Sequence, residues 1–173
     1  MSSIILLSGP VGAGKSTVAR ELVATATGLT VRIEGDVFWS FIVKGAESLP
    51  RHKHFVTTVW AMTAAALPYS RAGYETIVDF SIPLWLVDRL RTRFTDISFE
   101  YVVLRPAIEV CAARAAGRVE GRIEDYTPYK SFYAEFDAAK PNLVCDDAAD
   151  PASLAALIRD GLDEGRFRLP PPL

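Results

Sequence analysis

The amino-acid sequence predicts an α/β fold, in which a five-stranded parallel sheet is covered by helices on both faces. Short apolar runs alternate along the chain with longer segments of helical periodicity. Such alternation favours right-handed crossovers, and these make the strands parallel. The chain has 173 residues, of which half are hydrophobic, and this length suits one domain with its own core. We therefore expect a single domain over residues 1–173.

Five apolar runs are expected to form the strands. The first follows the N-terminus and is too short for a signal peptide or a membrane span. No other segment reaches the roughly 18 apolar residues that a membrane span needs. We therefore expect a cytoplasmic protein without a membrane partner. The predicted strands are residues 4–7, 30–33, 76–80, 99–104 and 142–145.

Six segments between or after these strands are expected to be helical. In residues 53–72, Val59 and Thr63 belong to a series of apolar positions at helical spacing, and Gly73 should end this helix. Four other helices should begin near a proline, which the first helical turn tolerates, and Asp150 should cap the last of them. The predicted helices are residues 15–26, 53–72, 83–94, 106–116, 128–138 and 151–161.

The net charge argues against one class of partner, and the cysteines argue against a metal site or a disulfide. The formal net charge is -2, and the basic residues are spread along the chain instead of forming a stripe. Proteins that bind nucleic acid usually show a basic excess or a basic face, so we expect no nucleic-acid partner. Cys111 and Cys145 lack the spacing of metal ligands, and we expect them to be reduced thiols in the core.

Residues 9–17 carry the strongest functional signal. They match the phosphate-loop pattern G-x-x-x-x-G-K-S/T and lie between a predicted strand and a predicted helix. Glycines let successive amide N–H groups point inward, and the helix N-terminus favours a phosphate group there. We expect Lys15 to reach the β- and γ-phosphates, Ser16 to bind Mg²⁺ and Thr17 to lie near the α-phosphate. The predicted nucleotide contacts are Gly9, Pro10, Val11, Gly12, Ala13, Gly14, Lys15, Ser16 and Thr17.

Two carboxylates follow predicted strands, at the sheet edge where ligands of parallel sheets bind. Asp36 could accept the proton of a substrate hydroxyl that attacks the γ-phosphoryl group, or it could cap the helix after it. Asp79 ends an apolar strand, where an unpaired charge would be costly. It could hold Mg²⁺ through a water molecule or bind the substrate, or it could pair with a backbone group or an arginine. We predict a functional role for both carboxylates.

An arginine-rich segment with interleaved glycines suggests a mobile lid over about residues 117–127. Arg114, Arg118 and Arg122 recur every four residues. Phosphoryl transfer leaves charge on equatorial oxygens, which an arginine from a closing segment can neutralise. We expect Arg118 to have this role and Arg114 to stack on adenine. The alternative is a solvated helix face whose acidic neighbours are surface partners of little energetic value.

Aromatic and cationic residues are concentrated around the second and third predicted strands. They could line a pocket for the acceptor, with Phe38 and Trp39 as substrate contacts, although aromatic residues at this density are more often simply core. The set is Phe38, Trp39, Phe41, Lys44, Arg51, His52, Trp60, Phe80, Pro83 and Trp85.

These motifs together make the sequence resemble the small P-loop kinases, such as chloramphenicol phosphotransferase, shikimate kinase and gluconate kinase. The resemblance rests on residues 4–17, residues 33–36 and the pair Arg114 and Arg118, and it spans about residues 2–165. It implies a three-layer P-loop NTPase sandwich with strand order 2-3-1-4-5, Mg-ATP as the donor and a hydroxyl group as the acceptor. It also implies that the segment from Asp146 to Asp150 passes the adenine.

The resemblance leaves the acceptor open. No second glycine run follows the third strand as in shikimate kinase, and the residues after Asp36 do not match those that bind chloramphenicol. The leading hypothesis is an ATP-dependent kinase of a small molecule. A nucleoside or nucleotide kinase and a nucleotide-dependent switch without transfer are the alternatives. A GTPase-type base-reading motif, which would favour the switch, is not evident. The oligomeric state is also open.

Overall fold

The protein contains a five-stranded parallel sheet in the order β2-β3-β1-β4-β5. The computed structural model describes residues 3–119, 121–140, 142–145, 147 and 149–171. Both the predicted α/β class and the strand order are confirmed. The strands are β1 (Ser3–Ser8), β2 (Thr30–Glu34), β3 (Glu75–Asp79), β4 (Ser98–Leu104) and β5 (Leu143–Val144).

Helices cover the sheet on both faces, so that the molecule has three layers. Successive side chains of a strand point to opposite faces. Ile4 and Leu6 of the central strand accordingly belong to one buried cluster, and Ile5 and Leu7 to another. The helices are α1 (Lys15–Ala24), α2 (Gly35–Ser40), α3 (Arg51–Arg71), α4 (Leu84–Arg93), α5 (Ile108–Ala116), α6 (Lys130–Glu135) and α7 (Pro151–Asp163).

The two clusters separate the helices by face. Buried residues of α3 and α4, such as Met62 and Leu86, pack with the first cluster. Those of α1, α5 and α7, such as Leu22 and Ile158, pack with the second. Asp150 caps α7, since its side chain accepts hydrogen bonds from the amides of residues 152 and 153. Among the described residues, no helix is long and apolar enough to cross a membrane.

Several boundaries differ from the sequence prediction. The helix predicted from residue 106 begins at Ile108, because Ala107 is extended and its amide donates a 2.7 Å hydrogen bond to Asp147. The helix predicted over residues 128–138 is divided into a 3₁₀ turn (Thr127–Tyr129), α6 and a second 3₁₀ turn (Phe136–Ala139). Such turns are frequent at helix ends and as connectors. Helix α2 is the short helix that the capping alternative for Asp36 implied, and it was not among the six predicted helices.

The cysteines are both free, but they differ in burial. Cys111 lies in the core as expected, whereas Cys145 is exposed. The expectation that both are core thiols is therefore wrong for Cys145, which directly follows the short edge strand β5.

Candidate active site

The loop between β1 and α1 curls tightly against the neighbouring helix α5. Gly9, Gly12 and Gly14 all have positive φ, at 138°, 83° and 93°. A Cβ atom on Gly12 would lie 2.1 Å from the carbonyl oxygen of Cys111, so that only glycine fits this position. The Ala13 amide donates a 3.2 Å hydrogen bond to the Pro10 carbonyl, which closes the turn. The loop therefore has the curled form that phosphate binding requires.

Lys15 begins α1 and folds back over the loop. Its Nζ donates a 3.0 Å hydrogen bond to the Pro10 carbonyl oxygen. Burial lowers the pKa of this lysine to about 8, although the negative charges of Asp79 and Asp36 act in the opposite direction. The positive charge of Arg118 also lowers this pKa. Lys15 is thus a desolvated cation, and two carboxylates and a loop carbonyl are among its favourable partners.

Asp79 ends β3 and faces the hydroxyl group of Ser16. Strands β1 and β3 are paired, with Leu7 opposite Asp79, and this register brings the carboxylate to the start of α1. The Ser16 hydroxyl donates to Oδ1 over 3.4 Å. Arg32 of β2 donates to Oδ2 through Nε at 3.1 Å and also through Nη2. Asp79 therefore pairs with an arginine and also approaches the phosphate loop. The sequence presents these two roles as alternatives, but they occur together.

One cavity of about 1030 Å³ lies at the carboxyl ends of the strands, and it joins residues that are far apart in sequence. Asp36, in the first turn of α2, contributes to it but makes no capping hydrogen bond, since Glu34 is the N-cap residue. Among the predicted site residues, those that line the cavity are Val11, Gly12, Gly14, Lys15, Ser16, Thr17, Asp36, Trp39, Asp79, Arg114 and Arg118.

The remaining predicted site residues lie outside this lining. Gly9, Pro10 and Ala13 are buried within the loop itself. Phe38 packs against the core, with its ring 5.1 Å from that of Phe41. Its neighbour Trp39 faces the cavity instead.

The predicted lid contributes unequally to the cavity. Arg114 and Arg118 line it, whereas Arg122 is an exposed residue 3.5 Å from Glu124. The hydroxyl group of Tyr126 donates a 2.6 Å hydrogen bond to the Val11 carbonyl and ties the end of this segment to the phosphate loop. Burial raises the pKa of Tyr126 to about 12. Glu120 in the lid, and Asp146 and Ala148 in the expected adenine segment, lie outside the described residues.

The sequence matches the family model described as an AAA domain over residues 4–132, which is well over half of the chain. The chain belongs to this AAA domain family (AAA_33). No curated protein matches the chain.

Solved structures similar to this AAA domain include small P-loop kinases. A sugar kinase from Janibacter sp. HTCC2649 superposes with a TM-score of 0.72 at 21% identity, over 94% of this chain and 95% of the other. The tunicamycin resistance protein of Deinococcus radiodurans superposes with a TM-score of 0.70 at 20% identity, over 99% of this chain and 100% of the other. The Mycobacterium tuberculosis APS kinase, solved with AMPPNP and APS, superposes with a TM-score of 0.67 at 17% identity, over 94% of this chain and 98% of the other. At these identities the similarity establishes the fold.

The residues present in this AAA domain fit a nucleotide and a divalent cation. The amides of the curled loop and Lys15 suit phosphate oxygens, and the pair Ser16 and Asp79 offers oxygen ligands beside them. Among the described residues, no group of three or more acidic, histidine or cysteine side chains could hold a metal ion without the nucleotide. Mg²⁺ is usually bound by one or two protein oxygens together with substrate phosphates, and Ser16 and Asp79 offer such oxygens.

Several cavity residues of the protein are not evident from the sequence. Phe55, Phe132 and Glu135 line the cavity from α3 and α6, although no local motif marks them. Arg32 carries a weak signal, because it is a charged residue between the apolar Val31 and Ile33.

Proposed function

We propose that this AAA domain is a kinase that transfers the γ-phosphoryl group of ATP to a hydroxyl group of a small molecule. The proposal rests on one observation: the phosphate loop, the carboxylates of Asp36 and Asp79 and the guanidinium groups of Arg114 and Arg118 line the same cavity. Its volume of about 1030 Å³ is at the upper end of the range for ligand pockets, about 300–1000 Å³. A cavity of this size has room for an acceptor beside the phosphates.

Lys15 and Ser16 form the donor side in this proposal. Lys15 would leave the Pro10 carbonyl and bind the β- and γ-phosphates, while the loop amides hold the oxygens in place. Ser16 and Asp79 would hold Mg²⁺, with Asp79 acting through a water molecule. The metal ion would supply neutralisation of the charge on the phosphates. Arg114 is proposed to stack on the adenine.

Asp36 is the proposed base on the acceptor side. It accepts the proton of the acceptor hydroxyl as the new oxygen–phosphorus bond forms and the bond to the ADP oxygen breaks, so that ADP leaves with the electron pair. Arg118, close enough to Lys15 to influence its pKa, stabilises the charge on the transferring group. The lid over about residues 117–127 would exclude water during this step.

A nucleoside or nucleotide kinase is the second candidate. It is favoured by the ring stacking of Phe55 and Phe80, whose centroids are 5.7 Å apart at the cavity wall, since aromatic rings suit a nucleobase. The two candidates share the donor side and differ only in the acceptor.

The test measures ADP release from Mg-ATP with a panel of sugars, nucleosides, nucleotides, shikimate-like acids and hydroxylated antibiotics. With an effective acceptor, the variant Asp36→Asn should lose turnover by about 10²- to 10⁴-fold, the usual contribution of a general base, and should still bind nucleotide. Asp96→Asn is the matched control, because Asp96 is an exposed partner of Arg71. Failure of every acceptor class to stimulate ADP release would contradict the kinase proposal, and unchanged turnover would remove Asp36 from it.

A further inference from the structure

Five of the aromatic side chains that line the cavity are called the aromatic wall here. It consists of Trp39, Phe55, Phe80, Trp85 and Phe132, which come from α2, α3, the β3–α4 connection, α4 and α6. The ring of Phe55 stacks on Phe80 at 5.7 Å and meets Phe132 edge-on at 6.0 Å. All three phenylalanines are partly buried and pack against the core. The phenylalanines therefore form a packed apolar surface, which suits a flat ring better than a polyhydroxylated chain.

Arg51 provides a free cation beside this wall. Its guanidinium carbon lies 5.6 Å from the centre of the Trp39 ring, within the range of a cation–π contact. Arg32, Arg71, Arg91, Arg105, Arg122, Arg159 and Arg168 each form an ion pair with an acid. In the described part of the chain, no acidic side chain lies within ion-pair distance of Arg51. A guanidinium group can bind a carboxylate or phosphate through two parallel hydrogen bonds.

Two acidic groups, Asp36 and Glu135, also line the acceptor side of the cavity. Glu135 accepts a 2.8 Å hydrogen bond from Nε1 of Trp85, and the guanidinium of Arg89 lies 5.2 Å from the centre of the same indole ring. Asp36 is the proposed base and must face the hydroxyl group. Neither contact brings an acid to Arg51, whose guanidinium stays available on the acceptor side, and His52 beside it lines the same cavity.

We propose that the acceptor is an alcohol on a flat apolar ring that also bears an anionic group, a carboxylate or a phosphate. The ring lies against the aromatic wall, the anionic group binds Arg51 and the hydroxyl group faces Asp36. This inference rests on the proposed kinase function and narrows its acceptor to one chemical class.

The experiment compares probes that share a ring and differ in charge. Calorimetry measures their binding to the full chain saturated with Mg-ADP, using para-hydroxymethylbenzoate, neutral benzyl alcohol and the cationic para-aminomethylbenzyl alcohol. A second arm compares a nucleoside monophosphate with its nucleoside, which separates a phosphate from a carboxylate as the anionic group. The anionic probe of at least one arm should bind more tightly than its uncharged counterpart.

The variant Arg51→Gln should weaken binding of the anionic probe by about 10- to 100-fold, the usual effect of losing a charged hydrogen bond, and leave the neutral probe within about twofold. Arg71→Gln is the matched control, since Arg71 ends the same helix and its side chain is 52% exposed. The proposal is overturned if neutral or cationic probes bind as tightly, if neither anionic probe binds, or if Arg51→Gln affects all probes equally.

Kinetics with the same probes keep this inference separate from the proposed function. Binding that depends on Arg51, without ADP release or a phosphorylated product, would support the anion subsite and contradict the kinase. Phosphorylation of neutral alcohols that is indifferent to Arg51 would support the kinase and contradict the subsite.

Discussion

Replacement of Lys15 by methionine should make the nucleotide-free protein more stable at neutral pH. Burial lowers the pKa of Lys15 from 10.5 to about 8, which corresponds to about 3 kcal/mol of unfavourable charge burial, since a tenfold change in proton affinity is about 1.4 kcal/mol. The variant also loses the hydrogen bond to Pro10, which is worth about 1 kcal/mol. Methionine has a similar length without a charge. The net gain should be about 2 kcal/mol in the free energy of unfolding.

This gain should depend on pH in a defined direction. Below the folded-state pKa of about 8, both the folded and the unfolded wild type carry the proton on Lys15, so the full cost of the buried charge is present. Between pH 8 and 10.5 the unfolded chain binds more protons than the folded chain, and the stability of the wild type rises with pH. The advantage of Lys15→Met should therefore shrink across this window and disappear above it.

Urea denaturation without nucleotide, at about pH 7 and about pH 10, measures both effects. Lys53→Met is the control, because Lys53 is exposed and its replacement should change stability by no more than about 0.5 kcal/mol at either pH. A variant at Lys15 that is no more stable than wild type at neutral pH, or whose advantage is the same at both pH values, would refute the reasoning. Added nucleotide should stabilise the wild type and Lys53→Met against urea, but it should not stabilise Lys15→Met.

Two further predictions concern the contacts behind the site. Arg32→Gln leaves the buried Asp79 unpaired, so we expect a loss of about 3 kcal/mol in stability. Calorimetry should also show that the variant needs more Mg²⁺ for ADP binding, with little change in ADP binding without metal. Arg32→Lys should recover part of the stability and part of the Mg²⁺ effect. An unaltered Mg²⁺ requirement would show that the pair of Arg32 and Asp79 is only structural. Gly35→Ala places a Cβ atom 2.2 Å from the Phe80 ring. Urea denaturation should show a loss of about 1–3 kcal/mol in the free energy of unfolding. Wild-type stability of this variant would mean that the ring can move away without cost.

Local sequence patterns were sufficient to predict the strands, the phosphate loop and most helices. Hydrophobic runs, glycine spacing and the Asp150 cap depend on neighbouring residues, and the structure contains all of these features. The strand order was implied by family resemblance, since alternation alone predicts only a parallel sheet. Once β3 lies beside β1, the rule that ligands bind at strand ends also brings Asp79 towards Ser16.

Features that depend on distant contacts could not be predicted in this way. Phe132 is core-like by composition, and only the docking of α6 brings its ring to Phe55, more than seventy residues away in sequence. The helix predicted over residues 128–138 is α-helical only over Lys130–Glu135, for a related reason. That segment is short and irregular, and the fully buried Phe136 anchors it to the core as part of a 3₁₀ turn. Tertiary packing overrides local propensity in such segments.

Asp79 shows why a structural and a functional interpretation of one residue need not exclude each other. Its side chain is 2% exposed, and a carboxylate at that depth needs a charged or hydrogen-bonded partner to offset the loss of water. Arg32 meets this need through Oδ2 alone. The second oxygen, Oδ1, is left facing the Ser16 hydroxyl beside the phosphate loop. The ion pair thus fixes the orientation of the carboxylate that the proposed metal site requires, so evidence for pairing is no evidence against function.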